Sequence, residues 1–230
     1  MNEDSGYEQG KKSGISCSTL HPDKRRKLEI YRKSIHLSSL IIPFVYRFGL
    51  PLFFTGTMFS EFSNGYRKVA IAFLVLLTLL ALLIDVLRLQ NKTAKKIFHN
   101  TFGLLLRHHE HSGITGASYM LVSSVVCIAF FLPDIAFVAL SFLAIGDTLA
   151  AIVGLSMGKR KLLGTVKSLE GSLACFIGTF LFAIFFVNPI LAFVGAVTAT
   201  IAEFAAIGMD DNLKIPIASG IAMSIVNMFI

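Results

Sequence analysis

The chain has 230 residues, of which 54% are hydrophobic and 15% are charged, and its mean hydropathy is +0.71. A water-soluble domain of this length cannot bury so much apolar surface, so the composition predicts an integral membrane protein. In a soluble protein, the net charge of +7 would suit nucleic acid. In a membrane protein, positive residues orient the chain instead, and no nucleic-acid partner is expected.

The beginning of the chain is polar and differs from everything that follows. Residues 1–23 are rich in Gly, Ser, Lys and Glu and are expected to form a disordered cytoplasmic tail. Residues 21–33 become strongly basic and are expected to form an interfacial helix that leads into the membrane. The sequence therefore predicts one membrane domain over residues 24–230.

Long apolar segments predict the fold class, which is an all-α, polytopic bundle of about seven transmembrane helices. A span needs about 20 apolar residues. The first predicted span is interrupted by Pro43, Arg47, Gly49 and Pro51, so six or eight crossings stay open. The predicted spans cover residues 34–58, 68–87, 117–132, 135–157, 171–187, 189–207 and 215–230.

The distribution of positive charge predicts the orientation of the bundle. With these spans, every Lys and Arg except Arg47, Arg67 and Lys68 falls on the same side as the N-terminus. Because loops rich in Lys and Arg stay in the cytoplasm, the N-terminus is expected there. The charged segments 88–112, 158–170 and 209–214 then face the cytoplasm too, and we expect the chemistry at that boundary.

An aspartate inside the fourth predicted span is the first candidate functional residue. An ionisable side chain in hydrocarbon is costly, so Asp147 indicates a Mg²⁺ ligand or a general base. Its neighbour begins a stripe of small residues at every fourth position, namely Gly146, Ala150, Gly154 and Gly158. The alternative is a close helix–helix contact in which a nearby hydroxyl or lysine satisfies Asp147.

The segment that follows this span is basic and glycine-rich, which suits phosphate. Its cations are joined by small residues that offer amides and hydroxyls at the start of the next helix, where anions are favoured. The alternative is a positive-inside cluster followed by a helix cap. The residues concerned are Lys159, Arg160, Lys161, Gly164, Thr165, Lys167, Ser168, Glu170, Gly171 and Ser172.

Acidic residues recur near the end of the chain. Glu203 lies within the sixth predicted span, and Asp210 and Asp211 follow it. Oxygen ligands of this kind suit Mg²⁺ carrying a triphosphate. The alternative for the two aspartates is an N-cap of the last helix.

Two basic segments flank the first two spans. Arg32 and Lys33 lie at the membrane edge with His36 one turn deeper, which indicates either a phosphate clamp or an interfacial anchor. A stripe that includes Arg88 and Lys92 is expected to face anionic lipid headgroups. The histidines at 108, 109 and 111, with the glutamate at 110, are expected at the exposed surface and not around a transition metal.

Three stretches of the sequence resemble one family of enzymes, and residues 85–120 share this resemblance. Together they resemble the membrane lipid-alcohol kinases that use CTP, which include dolichol kinase, phytol kinase and the CTP-dependent diacylglycerol kinase. The first of these stretches looks most similar to dolichol kinase. The stretches are GDTLAAIVGLSMGKRKLLGTVKSLEGS at residues 146–172, RKSIH at residues 32–36 and DDNLKIPIASG at residues 210–220.

The resemblance implies transfer of the CTP γ-phosphate to a dolichol- or polyprenol-like alcohol or a diradylglycerol, with Mg²⁺ as cofactor. It also implies that residues 158–170 hold the nucleotide phosphates. Dolichol kinases are often much longer than this chain, so the acceptor lipid stays open.

We therefore expect a lipid kinase with Asp147, Glu203 and Lys167 as catalytic residues. We expect the lipid tail to lie between helices along the small-residue face. The expected metal ligands are Asp147, Glu170, Asp210 and Asp211. The expected nucleotide-binding residues are Arg32, Lys33, His36, Lys159, Lys161, Gly164, Thr165, Ser168, Glu170, Gly171 and Ser172.

Two other functions stay open. A phosphatidate cytidylyltransferase uses the same ingredients, but attack at the α-phosphate gives a CDP-lipid and pyrophosphate. A transporter would place polar residues at the midplane and on both faces, whereas here they gather on one. The expected partners are a lipid alcohol, a nucleotide and the membrane, and the oligomeric state stays open.

Overall fold

A computed structural model describes residues 31–34, 36–55, 65–103, 106, 108–160, 167–205 and 208–230. Over these residues the chain is helical and contains no β-strand, so the all-α fold class is confirmed. The predicted tail at 1–23 and the basic segment up to residue 30 lie outside the described residues.

A helix covers most of each predicted span, and one more helix lies at the surface. The three longest apolar helices, α1, α2 and α5, are each long enough to cross a bilayer. The count of about seven crossings stays a prediction, because α4, α6 and α7 are shorter apolar helices. The helices are α1 (Tyr31–Phe54), α2 (Gly65–Gln90), α3 (Lys92–Phe102), α4 (Gly116–Phe130), α5 (Pro133–Met157), α6 (Leu169–Ala183), α7 (Pro189–Phe204) and α8 (Asp211–Asn227).

The first span is irregular where the sequence predicts it. The helix α1 contains a π-helical turn at Val45–Gly49, between Pro43 and Pro51. A proline lacks the amide hydrogen that a regular helix needs, so neighbouring turns rearrange their hydrogen bonds.

Side-chain caps fix the starts of three helices around the candidate site. The Ser168 hydroxyl accepts the amide of Gly171 at 3.1 Å, and the Asp210 carboxylate accepts that of Asn212 at 2.9 Å. Thr115 caps α4 in the same way. These contacts satisfy amides that a helix leaves free at its N-terminus. The predicted capping roles of Ser168 and Asp210 are confirmed.

The centre of the bundle is α5, which is buried along most of its length. Phe137, Val138 and Phe142 have no exposed surface, and α6, α7, α8, α4 and α1 all pack against this helix. By contrast, α2 packs mainly on α4 and exposes a row of leucines that includes Leu76, Leu79 and Leu83. A helix enclosed on most sides holds its side chains in fixed positions, and Asp147 lies on this one.

The small-residue stripe of α5 is a helix-packing surface. A Cβ atom at Gly146 would lie 2.9 Å from the Cys175 sulfur, and one at Gly171 would lie 2.7 Å from the Ala150 carbonyl oxygen. The predicted close approach is confirmed. The prediction that the lipid tail lies along this face is wrong, because α6 fills it.

Charged residues divide between the two ends of the bundle. At one end, Arg47 contacts Asp134 at 2.5 Å and Arg67 donates to the free carbonyls at the end of α4. The helices run through the bundle in alternating directions, so the charged ends of α2, α5 and α7 meet the starts of α1, α4, α6 and α8. The remaining ion pairs of the described residues therefore gather at the opposite end.

The α5–α6 contact yields a stability prediction. Gly171→Ala places a methyl group against the α5 backbone, which cannot move aside, and overpacking of this kind costs about 1–3 kcal/mol. We expect a lower melting temperature in detergent. Gly208→Ala is the matched control, since its Cβ would meet no atom within 4 Å. Equal melting temperatures for the two variants would contradict the proposed packing.

Candidate functional site

A buried ion pair joins the first helix to the central one. The Lys33 ammonium donates a hydrogen bond to the Asp147 carboxylate, and the two residues are 4% and 7% exposed. The Nε2 atom of His36 lies 3.8 Å from the same carboxylate oxygen. Buried charges require partners, which explains why the aspartate faces α1. The lysine partner that the alternative predicts for Asp147 is therefore present, and the carboxylate also borders a cavity.

This cavity has a volume of about 580 Å³ and lies between α1, α2, α3 and α4. Charged and polar side chains line it at the end where the ion pairs gather, and the deeper part is lined mostly by apolar side chains together with Ser38 and Ser39 of α1. The polar set includes Arg32, Lys33, His36, Asp85, Glu110, Thr115, Ser118, Asp147 and Asn212, and the apolar set includes Ile41, Ile42, Ala81, Ile84, Phe98, Phe102 and Met120.

A second buried acid, Asp85, organises the wall opposite Asp147. One of its oxygens accepts the Thr115 amide at 2.9 Å, the Thr115 hydroxyl at 3.0 Å and the Ser118 hydroxyl at 2.7 Å. Its other oxygen contacts Arg88 at 3.0 Å. Arg88 in turn donates to the carbonyls of Glu110 and Gly113. The network fixes the turn that precedes α4.

Sequence reasoning missed this centre, although a signal was present. Asp85 is an ionisable residue in an apolar helix, which is the rule that identified Asp147. Arg88 was predicted to face lipid headgroups, and this is wrong because its side chain is 3% exposed. Glu110 was expected at the surface, and this is also wrong because it is 6% exposed.

The start of α8 closes the same wall. The Glu110 carboxylate accepts the Gly116 amide at 3.1 Å. A Cβ atom at position 116 would lie 2.6 Å from the Asn212 amide nitrogen, so only glycine fits without displacement. The turn before α4 and the first turn of α8 are thereby in direct contact.

A second cluster of charges joins α6, α7 and α8. The Lys167 ammonium lies 3.0 Å from one oxygen of Glu203 and 3.4 Å from Asp211, which Lys214 contacts at 2.8 Å. Glu203 is 3% exposed, and its Oε2 atom has no hydrogen-bond partner among the described residues. Such an oxygen is free to accept a donor or a cation from a ligand.

The two clusters adjoin each other. The residue after Asp211 in the chain, Asn212, lines the cavity beside Asp147. The structure therefore brings together all three predicted catalytic residues at one end of the bundle.

The other predicted nucleotide residues have varied positions. Lys159 is exposed, Ser168 is buried in its capping role, and Ser172 is buried with a hydroxyl that has no partner among the described residues. Gly171 lies in the α5–α6 contact. Three further predicted residues, Lys161, Gly164 and Thr165, lie outside the described residues.

Glu170 lies at the surface in the first turn of α6. Hydrogen bonds from its own backbone amide, and from those of Arg160 and Lys159, hold the pKa of the Glu170 carboxyl below its ordinary value. These hydrogen bonds therefore connect the Glu170 side chain to the residues that directly follow α5.

The described residues contain no group of three or more His, Cys, Asp and Glu side chains that could hold a metal ion. Asp147, Glu170, Asp210 and Asp211 thus form no all-protein cage. Mg²⁺ usually binds one or two carboxylates and takes its other ligands from phosphates and water. Binding of Mg²⁺ by these carboxylates stays a prediction.

Comparisons with known proteins find two relatives. The chain is 26% identical over 200 residues to an uncharacterized protein of Rickettsia prowazekii, covering 81% of this chain and 89% of that protein. It is 26% identical over 229 residues to CTP-dependent diacylglycerol kinase 1 of Saccharomyces cerevisiae, covering 87% of this chain and 74% of that enzyme. No family model and no solved structure matches. The chain is thus similar to a CTP-dependent lipid kinase over most of its length.

The Lys33–Asp147 pair yields a double-variant prediction. Lys33→Met or Asp147→Leu alone leaves an unpaired buried charge, and each should lower the free energy of unfolding by about 3–5 kcal/mol. The double variant leaves no charge unpaired and should recover most of the loss. The measurement is thermal unfolding in detergent, and additive losses would show that the two residues do not interact.

The Asp85 centre yields a second prediction, which compares the stabilities of two variants. Asp85→Asn removes the charge that balances buried Arg88, and a loss of about 3–5 kcal/mol is expected. Asp134→Asn is the matched control at the other end, where the pair with Arg47 is about half exposed and worth about 0–1 kcal/mol. Similar unfolding midpoints for the two variants would refute the structural role of Asp85.

Proposed function

We propose that this protein is a CTP-dependent kinase that phosphorylates a membrane lipid alcohol at the cytoplasmic face. One observation carries the proposal: the Lys33–Asp147 pair lies in the wall of a cavity that is charged at one end and mostly apolar along the rest. A lipid alcohol has the same two parts, namely a polar hydroxyl and an apolar chain. The similarity to a CTP-dependent diacylglycerol kinase supports the nucleotide.

The cations at this end of the bundle would bind the triphosphate. Phosphoryl transfer depends mainly on positioning and on neutralising phosphate charge. In this proposal Arg32 and Lys33 contact the γ-phosphate, and Lys33 moves from Asp147 to do so. Lys167 would balance the charge that develops on the departing CDP. The remaining nucleotide contacts come from His36, Lys159, Lys161, Gly164, Thr165, Ser168, Glu170 and Ser172, whereas Gly171 packs against α5 and its amide bonds Ser168.

The acceptor hydroxyl would lie beside Asp147. Its oxygen attacks the γ-phosphorus as the bond between the γ-phosphorus and the β–γ bridging oxygen breaks, and its proton passes to the freed carboxylate. The products are CDP and a lipid phosphate. Glu203, with its unpartnered oxygen, would orient Lys167 and offers a second site for the proton.

The proposal includes Mg²⁺, with Asp147, Glu170, Asp210 and Asp211 as the candidate ligands. When bound, the ion would neutralise charge on the phosphate oxygens. The seven-span topology with a cytoplasmic N-terminus is part of the same proposal. The gathering of ion pairs at one end of the bundle and the positive-inside rule support it.

A product assay tests the reaction. Purified protein is given γ-labelled CTP or ATP with dolichol, polyprenol, phytol, diacylglycerol or phosphatidate. We expect label in a lipid phosphate from one of the alcohols, with CTP preferred. A CDP-lipid with pyrophosphate, formed from phosphatidate, would identify a cytidylyltransferase, and no product from any lipid would overturn the proposal.

Removal of the carboxylate tests its role in catalysis. Asp147→Asn should lower kcat at least 10²-fold, as loss of a general base does. The Lys33→Met/Asp147→Leu variant should be folded and inactive, which separates chemistry from stability. Asp134→Asn, in the ion pair at the opposite end, should keep full activity. Activity in folded Asp147→Asn would exclude the aspartate from catalysis.

A further inference from the structure

We infer that the acceptor lipid enters sideways from the membrane between α1 and α2 and lies with its chain in the cavity beside Asp147. This inference rests on the proposed function and assigns the acceptor site within it. The ligand class is a primary alcohol on a long apolar chain. Diacylglycerol and polyprenols share this chemistry.

The depth of the cavity wall matches such a molecule. Lys33 and Asp85 lie at the charged end of the bundle, whereas Ile41 lies about two helical turns deeper along α1. Ala81 lies about one turn deeper than Asp85 along α2, and Met120 lies five residues beyond Thr115, the cap of α4. A hydroxyl at Asp147 therefore directs the attached chain along apolar side chains. A nucleotide base and ribose would leave polar groups unpaired there.

The seam between α1 and α2 provides the entrance. The segment Leu50–Thr55 contacts α2, whereas the middle of α1, at Ile41–Phe44, packs on α5. Below the charged end, Ile41 of α1 and Ile84 of α2 are 66% and 50% exposed, and both also line the cavity. Side chains that face both the cavity and the membrane mark a lateral opening.

The surface helix α3 forms the floor of this opening. Phe98 and Phe102 of α3 line the cavity, with ring centroids 5.1 Å apart. The buried Arg88 guanidinium lies 4.9 Å from the Phe98 ring and attaches α3 to the Asp85 centre. The exposed Lys96, two residues before Phe98, lies on the other face of α3. A helix with these two faces lies at the headgroup level.

The small-residue face of α5 offers no competing site. The α6 backbone fills it, as the contacts of Gly146 and Gly171 show. The cavity is thus the route by which an apolar chain can reach Asp147 within the described part of the bundle.

A cavity-filling variant tests the assignment. Ala81→Trp should raise KM for the lipid alcohol at least 10-fold and leave KM for CTP within twofold, because the indole occupies the space of the chain. Leu79→Trp is the matched control on the same helix, since Leu79 is 60% exposed and lies outside the cavity. Equal effects of the two variants on the lipid KM would overturn the inference.

Photolabelling gives a second test that needs no catalysis and no variant. A diazirine diacylglycerol and a diazirine polyprenol, applied separately without nucleotide, should label peptides that contain Ile41 or Met120, and the matching unlabelled alcohol should compete. The lipid that labels identifies the acceptor. Label confined to α6 or α7, or resistant to competition, would overturn the inference even if the protein phosphorylates lipids. A protein that labels at the cavity but transfers no phosphate would refute the proposed function alone.

Discussion

The buried pair of Lys33 and Asp147 is the interaction on which the rest of the site depends. An aspartate deep in an enclosed helix is tolerated only when a cation reaches it, and α1 supplies that cation. The pair therefore draws α1 against α5 at the charged end, while Arg47 and Asp134 hold the same two helices together at the other end. The cavity lies beside this pair, between α1, α2, α3 and α4.

The site is held by three polar centres, and each joins elements that are far apart in the sequence. The Asp85 network fixes the turn before α4, the close approach of Gly116 to Asn212 brings that turn against α8, and Lys167 ties α8 to the end of α7. A ligand that contacts one centre therefore has the other two nearby. Such an arrangement suits a reaction in which a triphosphate at the charged end meets the hydroxyl of a lipid whose chain stays in the apolar part of the cavity.

Much of this could be predicted from the sequence, because local rules govern it. The apolar segments predicted the helices, and Ser168 and Asp210 marked the starts of α6 and α8. The high cost of a charge in hydrocarbon identified Asp147. That rule was not applied to Asp85, because Arg88 nearby was attributed to a lipid-facing stripe. The Lys33–Asp147 contact spans 114 residues and depends on which helices pack together, which spacing alone does not specify. The small-residue stripe was assigned to lipid for the same reason, although a neighbouring helix occupies it.

The enclosure of α5 has a consequence for biogenesis. A helix that carries a carboxylate is poorly suited to rest alone in lipid, and its counter-ion belongs to the segment synthesised more than a hundred residues earlier. Because α1 is synthesised first, its lysine is already present when α5 is made, and pairing with it neutralises the acid of that helix. The helix with the cation is made first and the helix with the acid later, so α5 is synthesised when its partner α1 already exists.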